Sequence, residues 1–302
     1  MGGLTLADVN DVNELKDEDP RALTDTPGGP QPRPQSLLLA FFGGYVLDEG
    51  PLYVYSGSII DVLARAGVGE QAVRSTLTRM VNRGLLQRQR QGRRMYFGLT
   101  AEATHVLQDG GNRLWEDSAV NEDWDGIWTL FGFSLPESWQ RQRHDLRSRL
   151  TWSGFGPLYS GLWIAPGDVD VSGIVSELGL AAHVKIFHAR ADVATDIDVM
   201  IREAWDLESI AARYACFDKR WTPHLGTCSG DPIGTRLRLV SEWLGIIRTD
   251  PRLPALHLPP DWPARAAQRT FRDIADRTEA PARRMAAELL QTVSVQPPES
   301  SP

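Results

Sequence analysis

From Leu37 the chain reads LLLAFFGGYVL, apolar at nearly every position, which predicts a helix buried on all sides. SGSIIDVLARAG follows with a serine start, Ile59, Ile60, Leu63 and Ala64 at helical spacing, and a glycine stop, so a second helix is expected there. A third begins near Gly69 and Glu70 and carries Val73, Leu77, Met80 and Val81 on one side. At about 100° per residue, Gln71, Ser75, Thr78, Arg79 and Asn82 face the other way, with Arg74 and Arg83 on the flanks. Gly84 ends this helix, and LLQRQRQGRRMYFGLT alternates as a hairpin with its turn predicted at Gln91 and Gly92. A threonine cap then opens TAEATHVLQDGGNRLW as a fourth helix. Three helices followed by a basic hairpin is the order of a winged helix.

Further on the pattern changes. WDGIWTLFGFSLP alternates as a strand, SWQRQRHDLRSRLTWSGF forms an amphipathic helix with Trp139, Leu146 and Leu150 inward, and GPLYSGLWIAP is extended. DVSGIVSELGL then makes a short helix and AHVKIFHAR another strand, an order that resembles the split β-α-β module of ferredoxin-like domains. From Asp196 onward three long segments are helical, the last two joined by the proline-rich DPRLPALHLPPDWP. The expected architecture is α+β: a winged-helix domain over 36–117, a ferredoxin-like middle domain over 123–193, and a helical C-terminal domain over 196–292. The middle domain is the candidate for dimerisation and the last for effector sensing. Residues 1–35, acidic and ending in TPGGPQPRPQ, read as a disordered arm, and residues 293–302 as a frayed tail.

Charge sharpens the picture. The chain of 302 residues has a formal net charge of −7, yet Arg65 to Arg94 holds eight arginines against Glu70 alone, a local +7 that leaves −14 for the remainder. Segregation on this scale marks a surface facing a polyanion. A solvated helix and a basic hairpin would account for the charge alone, so the composition of the helix face decides. A face serving solubility carries Glu–Lys pairs, whereas arginine among Gln, Asn, Ser and Thr can reach base edges and phosphates. The candidate DNA contacts are therefore Gln71, Arg74, Ser75, Thr78, Arg79, Asn82 and Arg83 on a major-groove helix. Arg88, Arg90, Arg93 and Arg94 belong to a wing that grips the neighbouring backbone or minor groove.

Other chemistry is sparse. A composition of 42% hydrophobic and 24% charged residues is ordinary for a globular protein, and the longest apolar run is too short to cross a bilayer and no signal pattern precedes it, so a cytoplasmic location is expected. Cys216 and Cys228 form neither a disulfide framework nor a zinc spacing. TWSGFG lacks the first glycine of a nucleophile elbow, and neither a glycine-rich phosphate loop nor a His-Glu-x-x-His helix occurs. Glu122, Asp123 and Asp125 suit a solvated turn better than a metal site, the six histidines are scattered, and Trp124, Trp128, Trp152 and Trp163 suit packing better than ligand stacking. The expectation is a protein that is not an enzyme and needs no cofactor.

VRSTLTRMVNRGLL with the Gly92 wing, WDGIWTLFGFSLPES, GFGPLYSGLWIAP, AWDLESIAARYACF, and DPRLP followed by PPDWP occur in that order. Together they resemble the phenylacetate-degradation repressor (PaaX) family of bacterial transcription regulators, from Leu37 to about Leu290. The resemblance implies a winged helix, a ferredoxin-like middle domain and a helical C-terminal domain. It also implies a homodimer on an inverted-repeat double-stranded DNA operator, released by an aryl- or acyl-coenzyme A effector such as a phenylacetyl-CoA-like thioester. Arg141, Arg143, Arg147 and Arg149 on one helix are available for the effector's phosphates, although a solvated face explains them too. The pocket is expected first between the middle and C-terminal domains. Leu244 and Gly245 stand where the family pattern is more basic or aromatic, which bears on the effector's identity. The middle domain is also similar to small CRISPR-associated ferredoxin-like nucleases, whose first strand ends in a metal-binding aspartate; that end carries Ser134 here. A metal-dependent nuclease and a constitutive DNA-binding paralogue without effector are the competing readings.

Overall fold

The computed structural model describes residues 33–50, 52–115, 118–226 and 230–294. Most of the acidic arm, the tail from 295 and Cys228 lie outside the described residues. Pro34 occupies the first turn of α1 (Pro34–Tyr45), where its missing N–H costs nothing, and Leu37, Leu38, Phe41 and Phe42 are wholly buried. A four-residue strand that the periodicity did not predict, β1 (Leu52–Tyr55), separates α1 from α2 (Ser56–Arg65). Next come α3 (Glu70–Asn82), the hairpin β2 (Leu86–Gln91) and β3 (Arg94–Leu99), and α4 (Ala101–Trp115). The hairpin register pairs Gln91 with Arg94, so the turn is Gly92–Arg93 and not Gln91–Gly92. Gly92 has φ of 58°, the glycine-first conformation that matches the twist of a two-residue hairpin.

The middle segment forms β4 (Trp128–Phe133), α5 (Gln140–Trp152), β5 (Gly156–Tyr159), β6 (Leu162–Pro166), α6 (Ser172–Glu177) and β7 (Val184–Ala189). GPLYSGLWIAP is thus two strands of a hairpin and not one extended stretch. The antiparallel sheet has order β5-β6-β4-β7, which with the β-α-β-β-α-β chain order is the ferredoxin-like arrangement. One face packs on α5 and α6 through Phe131, Phe133, Leu146, Leu150 and Trp163. On the other face Trp128 and Ile164 meet Ile201 and Ala204 of α7 (Ile197–Ala204) and Leu253. Trp124 and Trp205 ring Trp128 at centroid distances of 5.0 and 6.4 Å, so these tryptophans serve packing.

The C-terminal helices are α8 (Leu207–Trp221), α9 (Pro232–Ile247) and α10 (Ala264–Leu289), with Trp243 stacked on Phe271 at 4.9 Å. Their core does not stop at the winged helix. Leu37, Phe41, Ile59 and Leu63 belong to one buried cluster with Ile233, Leu237, Trp243 and Phe271. Two details lock the junction. Arg65 at the end of α2 pairs with Asp231 at 2.5 Å, while Asp231 caps α9 by accepting from the Gly234 N–H at 3.0 Å. That cap and the arginine hold the Asp231 carboxyl below its ordinary range, although partial burial pushes the other way.

The chain then returns to the wing. β8 (Thr292–Ser294) pairs with β1, giving the order β2-β3-β1-β8, with Tyr53 opposite Val293. The expected tail boundary at 293 is corrected by these pairs: Val293 and Ser294 are strand residues. Ser58 ties down the approach, donating to the Leu289 carbonyl at 2.8 Å and accepting from the Gln291 N–H at 3.1 Å.

At Gly234 an added Cβ would overlap the carbonyl oxygen of Arg65, a backbone atom that cannot rotate away. Gly234→Ala is therefore expected to destabilise the chain by about 1–3 kcal/mol through overpacking, despite alanine's better helix propensity. Urea unfolding measures this, and an unchanged or raised midpoint would mean that α2 and α9 are not in fixed contact.

Candidate nucleic-acid interface

α3 has two unlike sides. Val73, Thr76, Leu77 and Met80 are buried, whereas Gln71, Arg74, Ser75, Thr78, Arg79 and Asn82 are all exposed. The 3.6-residue period places the apolar set on the core and leaves one polar stripe along the helix. Within that stripe the groups are not equivalent. Arg74 is paired with Glu70 one turn back at 2.7 Å, which cancels its charge locally. Ser75 and Thr78 donate to the carbonyls of Ala72 and Arg74 at 3.1 and 3.0 Å and keep their lone pairs outward. One guanidinium nitrogen of Arg79 donates to Thr76 at 3.1 Å. Arg83 is half-buried and reaches Gln35 at 3.3 Å, so it joins α3 to the start of α1.

The wing's arginines divide between the two sheet faces. Opposed residues on paired strands share a face, so Arg88 and Arg90 lie on the face of Phe97 and Met95 at its exposed margin. Arg93 stands at the turn. Arg94 lies on the opposite face, 5.1 Å above the Tyr55 ring, and donates to the Gln291 side chain at 2.7 Å. Arg65, counted in the basic patch, is exposed but ion-paired with Asp231. Among the described residues the exposed Arg88, Arg90 and Arg93 have no carboxylate partner, Arg90 donating to the Gly92 carbonyl at 2.9 Å, and Arg94 braces β3 against Gln291. Gln291, Tyr55 and Gln35 escaped the sequence reading because their partners lie 39 to 197 positions away, where no local period reaches.

The proposed effector arginines do not converge. Arg141 and Arg147 face solvent, Arg143 donates to the Leu135 carbonyl at 2.9 Å, and Arg149 is ion-paired with Glu177 of α6. Two of the four brace the middle domain, and two belong to a solvated face. Nor do the acids before β4 converge. Glu122 pairs with Arg265 at 2.9 Å, and Asp125 accepts from the Ile127 N–H at 2.9 Å in a local turn. Among the described residues no group of three or more His, Cys, Asp or Glu side chains could hold a metal ion. Ser134, at the end of β4, bonds through its backbone to His183. No described helix is long and apolar enough to cross a membrane.

Substitutions should separate the two parts of the surface. Arg79→Ala and Asn82→Ala are expected to cost about 1–3 kcal/mol against the preferred sequence and little against random duplex. Replacing Arg88, Arg90 and Arg93 together should weaken every duplex and flatten the salt dependence by about 0.9 in slope per lost phosphate contact, whereas Arg94→Ala should change the slope least. Fluorescence anisotropy across a salt series measures both effects, and equal weakening of all duplexes by the α3 substitutions would remove α3 from base recognition.

Comparison with known proteins agrees with this architecture. Residues 33–103 match the family model described as PaaX-like protein, residues 121–200 the PaaX protein central Cas2-like domain, and residues 205–288 the PaaX-like protein C-terminal domain. The chain is 27% identical over 261 residues to the transcriptional repressor PaaX of Escherichia coli K12, covering 82% of this chain and 80% of that one. An uncharacterised protein of Mycobacterium tuberculosis shares the fold with a TM-score of 0.56 at 23% identity, over 85% of this chain and all of that one.

Proposed function

Since this chain belongs to the PaaX family of transcriptional regulators, we propose that it is a DNA-binding repressor that acts as a homodimer on an inverted-repeat operator. In this reading an aryl- or acyl-coenzyme A thioester releases it, and its targets serve the breakdown of an aromatic or organic acid. The observation that carries the DNA-binding part is the outward stripe of α3 beside the exposed wing arginines, Arg88, Arg90 and Arg93, in an otherwise acidic chain. A polar stripe of fixed shape supplies base-edge partners, and the wing supplies sequence-independent attraction. The acidic remainder keeps the rest of the surface off the duplex.

Self-association has its own support. β7 is an edge strand, and Ile186 and Phe187 on it are exposed. An apolar strand edge with free N–H and C=O groups favours pairing with another chain. In a dimer, two α3 helices bind half-sites whose centres lie about one helical turn, near 34 Å, or a multiple of it apart.

Footprinting on a site selected from random sequence, together with sedimentation of the free protein, tests this reading. A dimer protecting two inverted half-sites in register with the helical repeat is the expected result. A monomer protecting a single asymmetric site would refute the dimeric operator, and binding unaltered by every acyl-CoA thioester tried would refute the effector.

A further inference from the structure

A cavity of about 460 Å³ lies where the winged helix meets the C-terminal helices. It is not at the junction of the middle and C-terminal domains, where the sequence pointed first. α1 and α4 supply one wall, α9 and α10 the other, and Leu39, Leu107, Leu114, Val240 and Leu244 make the surface largely apolar. The volume falls in the range of small-molecule sites.

Two features show that the space is kept open and charged. Gly43 and Gly44 of α1, Gly111 of α4 and Gly245 of α9 all line it, and a Cβ built on any of them meets no other atom within 4 Å. None has a positive φ, so no backbone conformation requires glycine, and glycine is weaker than alanine in a helix. The second feature is the balance of charge. Glu279 takes ion pairs from both Arg236 and Arg283, and Asp276 stands exposed at the rim, so these four groups cancel. Arg248 remains. It is half-buried, lies 5.2 Å above the Trp152 ring, and has no carboxylate partner among the described residues. Burial, with Arg33 nearby, brings its pKa down to about 10, so it stays cationic at neutral pH.

We propose that this cavity binds a small organic acid in its anionic form, with the apolar body against the leucine walls and the carboxylate on Arg248. A half-buried guanidinium without a counter-ion favours a bidentate anion, and one uncompensated positive charge matches one carboxylate. The occupant would touch α1 and α9 at once. Because Gln35 at the start of α1 is bonded to Arg83 of the DNA-facing helix, a shift of α1 on α9 is passed to the recognition surface. Binding itself does not depend on the repressor reading; only this regulatory consequence does.

The test uses the full chain, thermal unfolding and calorimetry, with benzoate, 3-phenylpropanoate, hexanoate and octanoate as probes. Their coenzyme A thioesters and free coenzyme A form separate arms. At a concentration near a hundred times Kd, at least one free acid should raise Tm by about 3 °C or more. Gly245→Leu should fill the space and abolish the shift, and Gly44→Leu serves the same purpose if Gly245→Leu lowers the ligand-free Tm. Arg248→Gln should weaken binding about ten- to a hundredfold, with partial rescue by Arg248→Lys. No binding of any acid, or binding unchanged in the filled and Arg248 variants, would overturn the proposal. Thioester binding without free-acid binding would overturn the carboxylate anchor. Operator binding measured on the same ligand-free variants separates the two readings: if the acid binds and DNA does not, the cavity assignment stands and the repressor falls.

Discussion

The winged helix shares one core with the C-terminal helices, and that constraint governs the molecule. Four short helices and a small sheet make a small unit whose burial is modest, and here Phe41, Ile59 and Leu63 belong to the same buried cluster as Ile233, Leu237, Trp243 and Phe271. The Gly234 contact, the Arg65–Asp231 pair and the return of β8 to the wing sheet fasten the same seam. The stripe on α3 is therefore positioned by helices that follow it by 150 residues or more in the chain.

This arrangement bears on regulation. A DNA-reading unit on a flexible tether would feel little of what happens in the body, whereas a shared core transmits small shifts because packed interiors resist continuous deformation. Even the segment leading to the middle domain is held: Ala119 and Val120 are buried, and the Asn121 carbonyl accepts from the Ala255 N–H at 2.8 Å. Arg248, between α9 and Trp152 of α5, brings the middle domain to the edge of the same seam.

What was legible in the sequence followed from local period. The two-sided pattern of α3 gave the exposed stripe residue by residue, because a 13-residue amphipathic helix carries several repeats of its signal. The ferredoxin-like order was readable for the same reason, although the β5–β6 turn within GPLYSGLWIAP was missed because the strands are only four and five residues long. The rest depended on distance along the chain. Nothing near Arg94 announces Gln291, nothing in AELLQTVS announces a strand partner at Tyr53, and the arginines that looked available on α5 are partly consumed by Glu177 and the Leu135 carbonyl. Leu244 and Gly245 stood out as departures from the family pattern, and both line the cavity.

Native-state hydrogen exchange in low concentrations of urea tests the shared core most directly, since it assigns an opening free energy and a urea dependence to each element. If α1–α3 and α9–α10 form one cooperative unit, their slowest amides will share a single free energy and slope, while the middle domain, with its separate cluster around Phe131 and Leu146, is free to differ. Protection persisting in α1–α3 at urea concentrations where α9 and α10 have already exchanged would contradict the account, because the winged helix would then be standing on a core of its own.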